Sequence, residues 1–221
     1  MSFNLAKPDR TIHVGVILLN AEIEILDVAP VDLLHGMSKA FINTLPIPSV
    51  FKEQGLDVEI HWVNEHGDLA RLTSGITLQA THSFSTSPPL DIVLMGASLG
   101  DYQPNAAEVA FIRQAYESCS AYISICGGMM APLAAGLLEG KTCTGPRGML
   151  EGLRNSNPEV NWVERRWVQD GKVWTSGTLL NGLDLMKAFV EQVWGGPGTL
   201  AEFLVGFGSW PVRDVEYRDG P

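Results

Sequence analysis

Cys126 is followed by Gly127 and Gly128 and stands between two segments of different periodicity. Before it, residues 122–125 are short, apolar and partly β-branched, the pattern of a central parallel strand. After it, Ala and Leu recur at helical spacing until Gly140. A strand that turns at once into a helix exposes its turn residue, and two glycines let the backbone bend that sharply. The unpaired N–H groups of the following helix are then expected to face the sulfur and favour thiolate over thiol. The chemistry such an elbow supports is nucleophilic attack by Cys126 on a small electrophilic carbon. Cys119 and Cys143 lack that setting and read as small buried hydrophobes.

A nucleophile of this kind needs a proton partner and donors for developing charge. In an open α/β sheet, ligands bind beyond the carboxyl ends of the strands, and three loops converge there. The loop after Leu19 carries Glu22, Glu24 and Asp27; the loop after Met95 offers backbone N–H groups of Gly96, Ala97 and Ser98; the third presents Cys126 and Gly127. Asp27 and Glu24 are the acid–base candidates beside Cys126, and the four backbone positions are the oxyanion or substrate-binding candidates. Each also has a plain structural reading, since acidic loop residues are usually solvated and a glycine after a strand is usually a turn.

The elements that would position these groups alternate along the chain. Residues 11–19 read as the first strand and 30–41 as the first helix, with Pro30 in its opening turn and an acidic loop between. Residues 42–55 read as a surface connection, 56–63 as a strand, 65–68 as a turn and 75–81 as a half-exposed strand. Residues 91–97 read as a core strand and 105–118 as a helix before the Cys126 unit. Residues 163–176 carry a hairpin signal around Gln169 to Lys172, followed by helices over 179–194 and 199–207. Strand alternating with helix predicts a mostly parallel sheet covered on both faces, in one domain over 11–195 with extensions at 1–10 and 196–221.

Composition narrows the function classes. With 45% hydrophobic and 18% charged residues the chain is an ordinary globular protein with a sizeable core. A formal charge of −10 without a basic stretch argues against nucleic acid and anionic membrane surfaces as partners. Three cysteines without a framework spacing point to a reducing compartment, and the lack of a signal-like or membrane-spanning apolar run gives a cytoplasmic expectation. The histidines at 13, 35, 61, 66 and 82 are scattered and form no metal-ligand motif, so no metal is expected.

Five ordered segments resemble the ThiJ/PfpI superfamily, and within it the isocyanide hydratase branch. They are residues 25–30 after the first strand, 89–96, 124–127 with 134–140, 166–177 and 182–184, so the resemblance spans about 11–194. The resemblance implies a flavodoxin-like three-layer sandwich, a homodimer, a small-molecule substrate and no cofactor. It also implies that the elbow cysteine is the nucleophile beside an acid on the first loop, which carries over to Cys126 and Asp27. Three positions depart from the pattern. Cys126-Gly127-Gly128 replaces Cys-Thr-Gly, Met95-Gly96-Ala97-Ser98 replaces Pro-Gly-Gly, and Thr142-Cys-Thr-Gly-Pro146 stands where many members carry a histidine.

The leading expectation is therefore a cofactor-independent hydratase or lyase that adds Cys126 to an isocyanide or similar carbon through a thioimidate or hemithioacetal. Glyoxalase-like or specialised biosynthetic lyase chemistry is the alternative within enzymes. A non-catalytic cysteine oxidation sensor is the alternative outside them. A ligand-sensing regulator domain ranks last, since no helix-turn-helix module follows in this sequence.

Overall fold

The structure, a computed structural model, describes residues 3–218; residues 1–2 and 219–221, the outer ends of the two expected extensions, lie outside it. In chain order the strands are β1 (Ile12–Ile17), β2 (Glu22–Ile23), β3 (Val58–Asn64), β4 (Leu69–Leu72), β5 (Ile76–Gln79), β6 (His82–Ser83), β7 (Ile92–Met95), β8 (Ala121–Ser124), β9 (Thr142–Cys143), β10 (Asn161–Trp162), β11 (Trp167–Asp170) and β12 (Val173–Ser176). The helices are α1 (Ile25–Val28), α2 (Asp32–Gly36), α3 (Lys39–Ile42), α4 (Ser49–Lys52), α5 (Ala106–Ser118), α6 (Met130–Ala134), α7 (Leu150–Ser156), α8 (Asn181–Trp194) and α9 (Leu200–Phe207).

Seven strands form the main sheet in the order β11-β12-β8-β7-β1-β3-β6, parallel throughout except for β11, which runs antiparallel to β12 at one edge. Within it, β3-β1-β7-β8-β12 is the 2-1-3-4-5 order of flavodoxin-like folds, whose switch point lies between the first and third strands, here β1 and β7. Strands β7, β8 and β12 are buried along their whole length, as parallel strands covered on both faces must be. Helices α2, α8 and α9 pack in series in one group, and α5 packs on α6 in another. Leu5 at one end of the chain and Leu200, Ala201 and Leu204 of α9 at the other join the same core as the sheet. Among the described residues no helix is long and apolar enough to cross a membrane.

Several expected boundaries move. The first helix starts at Ile25 rather than Pro30, because the Glu24 carboxylate accepts the Leu26 N–H and caps a turn that the sequence leaves as acidic loop. It is also broken. Pro30 sits in a 3-10 turn, and extended Ser38 interrupts the run before capping α3 through the Phe41 N–H. The connection over 42–55 contains α4, and the acidic loop contains β2, which pairs with the unforeseen β4. After Cys126 the helix ends at Ala134 instead of Gly140, since Gly136 turns the chain with φ +72°. The hairpin strand expected from 163 begins only at Trp167. The histidines that read as scattered are in part neighbours, with His13, His61 and His82 in ring contact.

Candidate active site

Cys126 stands just beyond β8, at the start of a 3-10 turn (Cys126–Met129) that runs into α6, and its φ is +57°. A non-glycine residue held there stores on the order of 1–3 kcal/mol that the surrounding packing must impose. Two glycines make the packing possible. A Cβ on Gly128 would lie 2.4 Å from the Met95 carbonyl oxygen, and one on Gly96 would lie 2.9 Å from the Asp27 Cβ. The end of β7, the Cys126 turn and α1 therefore approach closely only with glycine at both positions.

That approach buries Asp27 completely. Its Oδ2 accepts the Ala97 N–H at 2.9 Å, Oδ1 has no hydrogen bond of good geometry among the described residues, and the Cys126 thiol lies against the carboxyl. Burial is the main reason that the Asp27 carboxyl is raised to about 7; the Glu24 charge pushes the same way, while the Ala97 N–H and Cys126 pull it down. Burial also pushes the Cys126 thiol up, and the Asp27 charge adds to it, against the N–H groups of Leu179 and Gly127 that point at the sulfur. The expectation of a favoured thiolate is thus corrected. The helix that follows is short, only two backbone donors stabilise the anion, and desolvation outweighs them. Leu179, which the sequence reading missed, supplies one of these donors from a left-handed turn with φ +44°.

A buried acid with a raised pKa makes stability depend on pH with a definite sign. The folded state holds the Asp27 proton up to about 7 whereas an ordinary aspartate releases it near 3.8, so its contribution is fully present below about 4 and lost as pH rises through 7. Asp27→Asn removes this loss. The variant is expected to gain stability relative to the wild type between pH 4 and pH 8, by up to roughly 4 kcal/mol, as read from urea unfolding at the two pH values. A stability difference that does not change with pH contradicts the raised carboxyl.

The site opens into a cavity of about 270 Å³ lined by Cys126, Gly96, Ala97, Ser98 and Gly127, so all four predicted backbone positions reach it. One of them is already engaged, because the Ala97 N–H is given to Asp27. Leu19, Met130, Pro146 and Met149 supply apolar wall, and no histidine lines it. The polar wall includes Asp101, Tyr102 and Gln103; the Tyr102 hydroxyl donates to Glu108 Oε2 at 2.7 Å, and Glu108 is fully buried and also accepts the Asn20 and Asn105 N–H groups. The capping pattern Asn105 to Glu108 is visible in the sequence, but not that it braces this wall. Neither acid–base candidate lines the cavity: Asp27 is buried behind it in contact with Cys126, whereas the Glu24 Oε1 accepts from the Leu26 N–H and the Thr73 hydroxyl, and Glu22 lies in β2. Burial raises Cys119 to about 11 and Cys143 to about 12, in keeping with their reading as inert core residues. A larger depression of about 910 Å³ lies at the opposite ends of the strands around Arg10, Asp91 and Lys172; Arg10 is engaged by Asp91, and Lys172 by the Tyr116 and Cys119 carbonyls.

The model of the DJ-1/PfpI family matches residues 42–192, a span that contains Cys126. The chain belongs to the DJ-1/PfpI family. Asp27 precedes the matched span, so its place beside the cysteine rests on the structure. An isonitrile hydratase of Pseudomonas putida is 30% identical over 143 residues, 63% of this chain and 61% of that protein's length. Among solved structures, a ThiJ/PfpI family protein from Pseudomonas syringae superposes with a TM-score of 0.71 at 18% identity, over 93% of this chain and 77% of that one. Drosophila melanogaster DJ-1beta gives 0.69 at 15% identity over 92% and 100%, and an AraC family transcriptional regulator from Pseudomonas putida gives 0.69 at 17% over 89% and 98%. These distant structural likenesses establish the flavodoxin-like fold of this DJ-1/PfpI chain and nothing finer.

Proposed function

We propose that this DJ-1/PfpI protein is a cysteine-dependent enzyme that adds water to small isocyanides. The observation that carries the proposal is the buried Asp27 carboxyl, titrating near 7, against the Cys126 thiol at the wall of a cavity of about 270 Å³. The similarity to the isonitrile hydratase supports the choice of substrate class. Cys126 sulfur bonds to the isocyanide carbon while the thiol proton, passed through Asp27, arrives on that same carbon, leaving a thioimidate. Asp27 then takes a proton from water as its oxygen attacks the thioimidate carbon. Collapse breaks the C–S bond, protons return to nitrogen and sulfur, and an N-substituted formamide leaves. The sum is isocyanide plus water, redox neutral, and it calls only for proton transfers that a group titrating near neutrality carries out best. Gly96, Ser98 and Gly127 form the wall beside the reacting carbon.

The oxidation-sensor reading draws less support, because a thiol raised by burial reacts slowly with peroxide. The test is turnover of a panel of alkyl and aryl isocyanides, followed by formamide formation, beside a 2-oxoaldehyde. Isocyanide hydration alone upholds the proposal; conversion of the oxoaldehyde alone replaces it with glyoxalase-like chemistry, and conversion of neither removes it.

A further inference from the structure

Strand register gathers four polar side chains on one face of the sheet, with His13 and Glu59 at the ends of β1 and β3 remote from the loops that hold Cys126. His13 pairs with Glu59 and Gly15 with His61 across β1 and β3, while Val63 pairs with His82 across β3 and β6. In-register neighbours of parallel strands share a face, and so do residues two apart, which places His13, Glu59, His61 and His82 together. Gly15 has no side chain, Leu90 fills the space over it, and the His61 ring meets His13 on the diagonal.

We propose that His13, Glu59 and His61 form a binding site for one divalent transition-metal ion of the zinc class. His13 Nδ1 lies 2.9 Å from His61 Nε2 and 3.6 Å from Glu59 Oε2, and His61 Nε2 lies 4.0 Å from the same oxygen. Ligand atoms held at 2.0–2.2 Å from a tetrahedral ion stand roughly 3.3–3.5 Å from one another, so movements of a few tenths of an ångström convert this cluster into a ligand set. Two imidazoles and one carboxylate with room for water suit zinc, nickel or copper; calcium and magnesium prefer all-oxygen sites. The His82 ring packs edge-on against His61, with centroids 4.9 Å apart, and holds the buried ligand in orientation. Glu59 is well exposed and His13 partly so, which gives an ion and its water a path from solvent. Bound there, the ion ties β1 to β3 and stabilises the fold by mass action, independently of the cysteine site.

The experiment is calorimetric titration of the chelator-treated protein with zinc chloride, with thermal unfolding in parallel. One ion per chain and a raised Tm are expected. His13→Gln at a half-buried position and Glu59→Gln at an exposed one are both expected to preserve folding and to weaken binding by roughly 10-fold or more, and Cys126→Ser to leave it unchanged. No binding by the wild type, binding unchanged in both His13→Gln and Glu59→Gln, or binding lost in Cys126→Ser overturns the assignment; in the first case the His13–His61 contact is a hydrogen bond and nothing more.

Discussion

Asp27→Asn lowers isocyanide turnover by on the order of 10²-fold or more, while Cys126 alkylates with iodoacetamide at least as fast as in the wild type. The two halves of this result have different causes. The amide oxygen still accepts the Ala97 N–H that Asp27 Oδ2 accepts at 2.9 Å, so the geometry of the turn is kept. What goes is the exchangeable proton, which the thioimidate step and the water step both require. The Asp27 charge is also one of the two main influences that hold the Cys126 thiol up, and without it the thiol ionises at lower pH. Iodoacetamide needs only thiolate, so its rate holds or rises. Equal loss of turnover and alkylation would mean that the substitution has collapsed the site. Glu24→Gln is the control: its side chain is turned to Leu26 and Thr73, so turnover stays near wild type. If Glu24→Gln is dead and Asp27→Asn active, the acid is Glu24.

Cys126→Ser is expected to bring formamide production to background while thermal unfolding changes little. Serine occupies the same left-handed backbone position and nearly the same volume, but its hydroxyl stays protonated where a thiol ionises. Cys119→Ser and Cys143→Ser separate chemistry from packing. Both sites are buried, so a hydroxyl there costs stability, about 1–3 kcal/mol where it finds no partner, and turnover is retained. Full activity of Cys126→Ser assigns the reaction to another group.

The parts of this site that were legible in the sequence are local ones. The apolar strand, the Cys126-Gly127-Gly128 turn and the small-residue helix are contiguous, and each strand end announces which backbone positions face the crevice; all four positions so chosen line the cavity. The parts that were not legible depend on residues far apart in the chain. Ile25 starts a helix because Glu24 is held by Thr73, 49 residues on. Leu179 reaches the sulfur from a turn with positive φ, for which no glycine or asparagine gives notice. The ionisation of Cys126 follows from how much water the fold excludes, which no spacing encodes, and so the expected thiolate was the reading that failed. Strand β4 alternates only over four residues, too short to stand out, and His13 meets His61 only through the register of β1 against β3.

The central claim is that Cys126 bonds to the isocyanide carbon and that Asp27 moves the protons. Intact-protein mass spectrometry of the wild type, acid-quenched after a short pulse of a small isocyanide, tests it most directly, because the thioimidate on Cys126 lies on the path to every formamide formed. The account predicts a single added mass equal to one isocyanide, located by peptide mapping on Cys126, decaying as formamide appears, absent in Cys126→Ser and slower to form in Asp27→Asn. Formamide produced at the same rate with no label on Cys126, or label found on another residue, contradicts it.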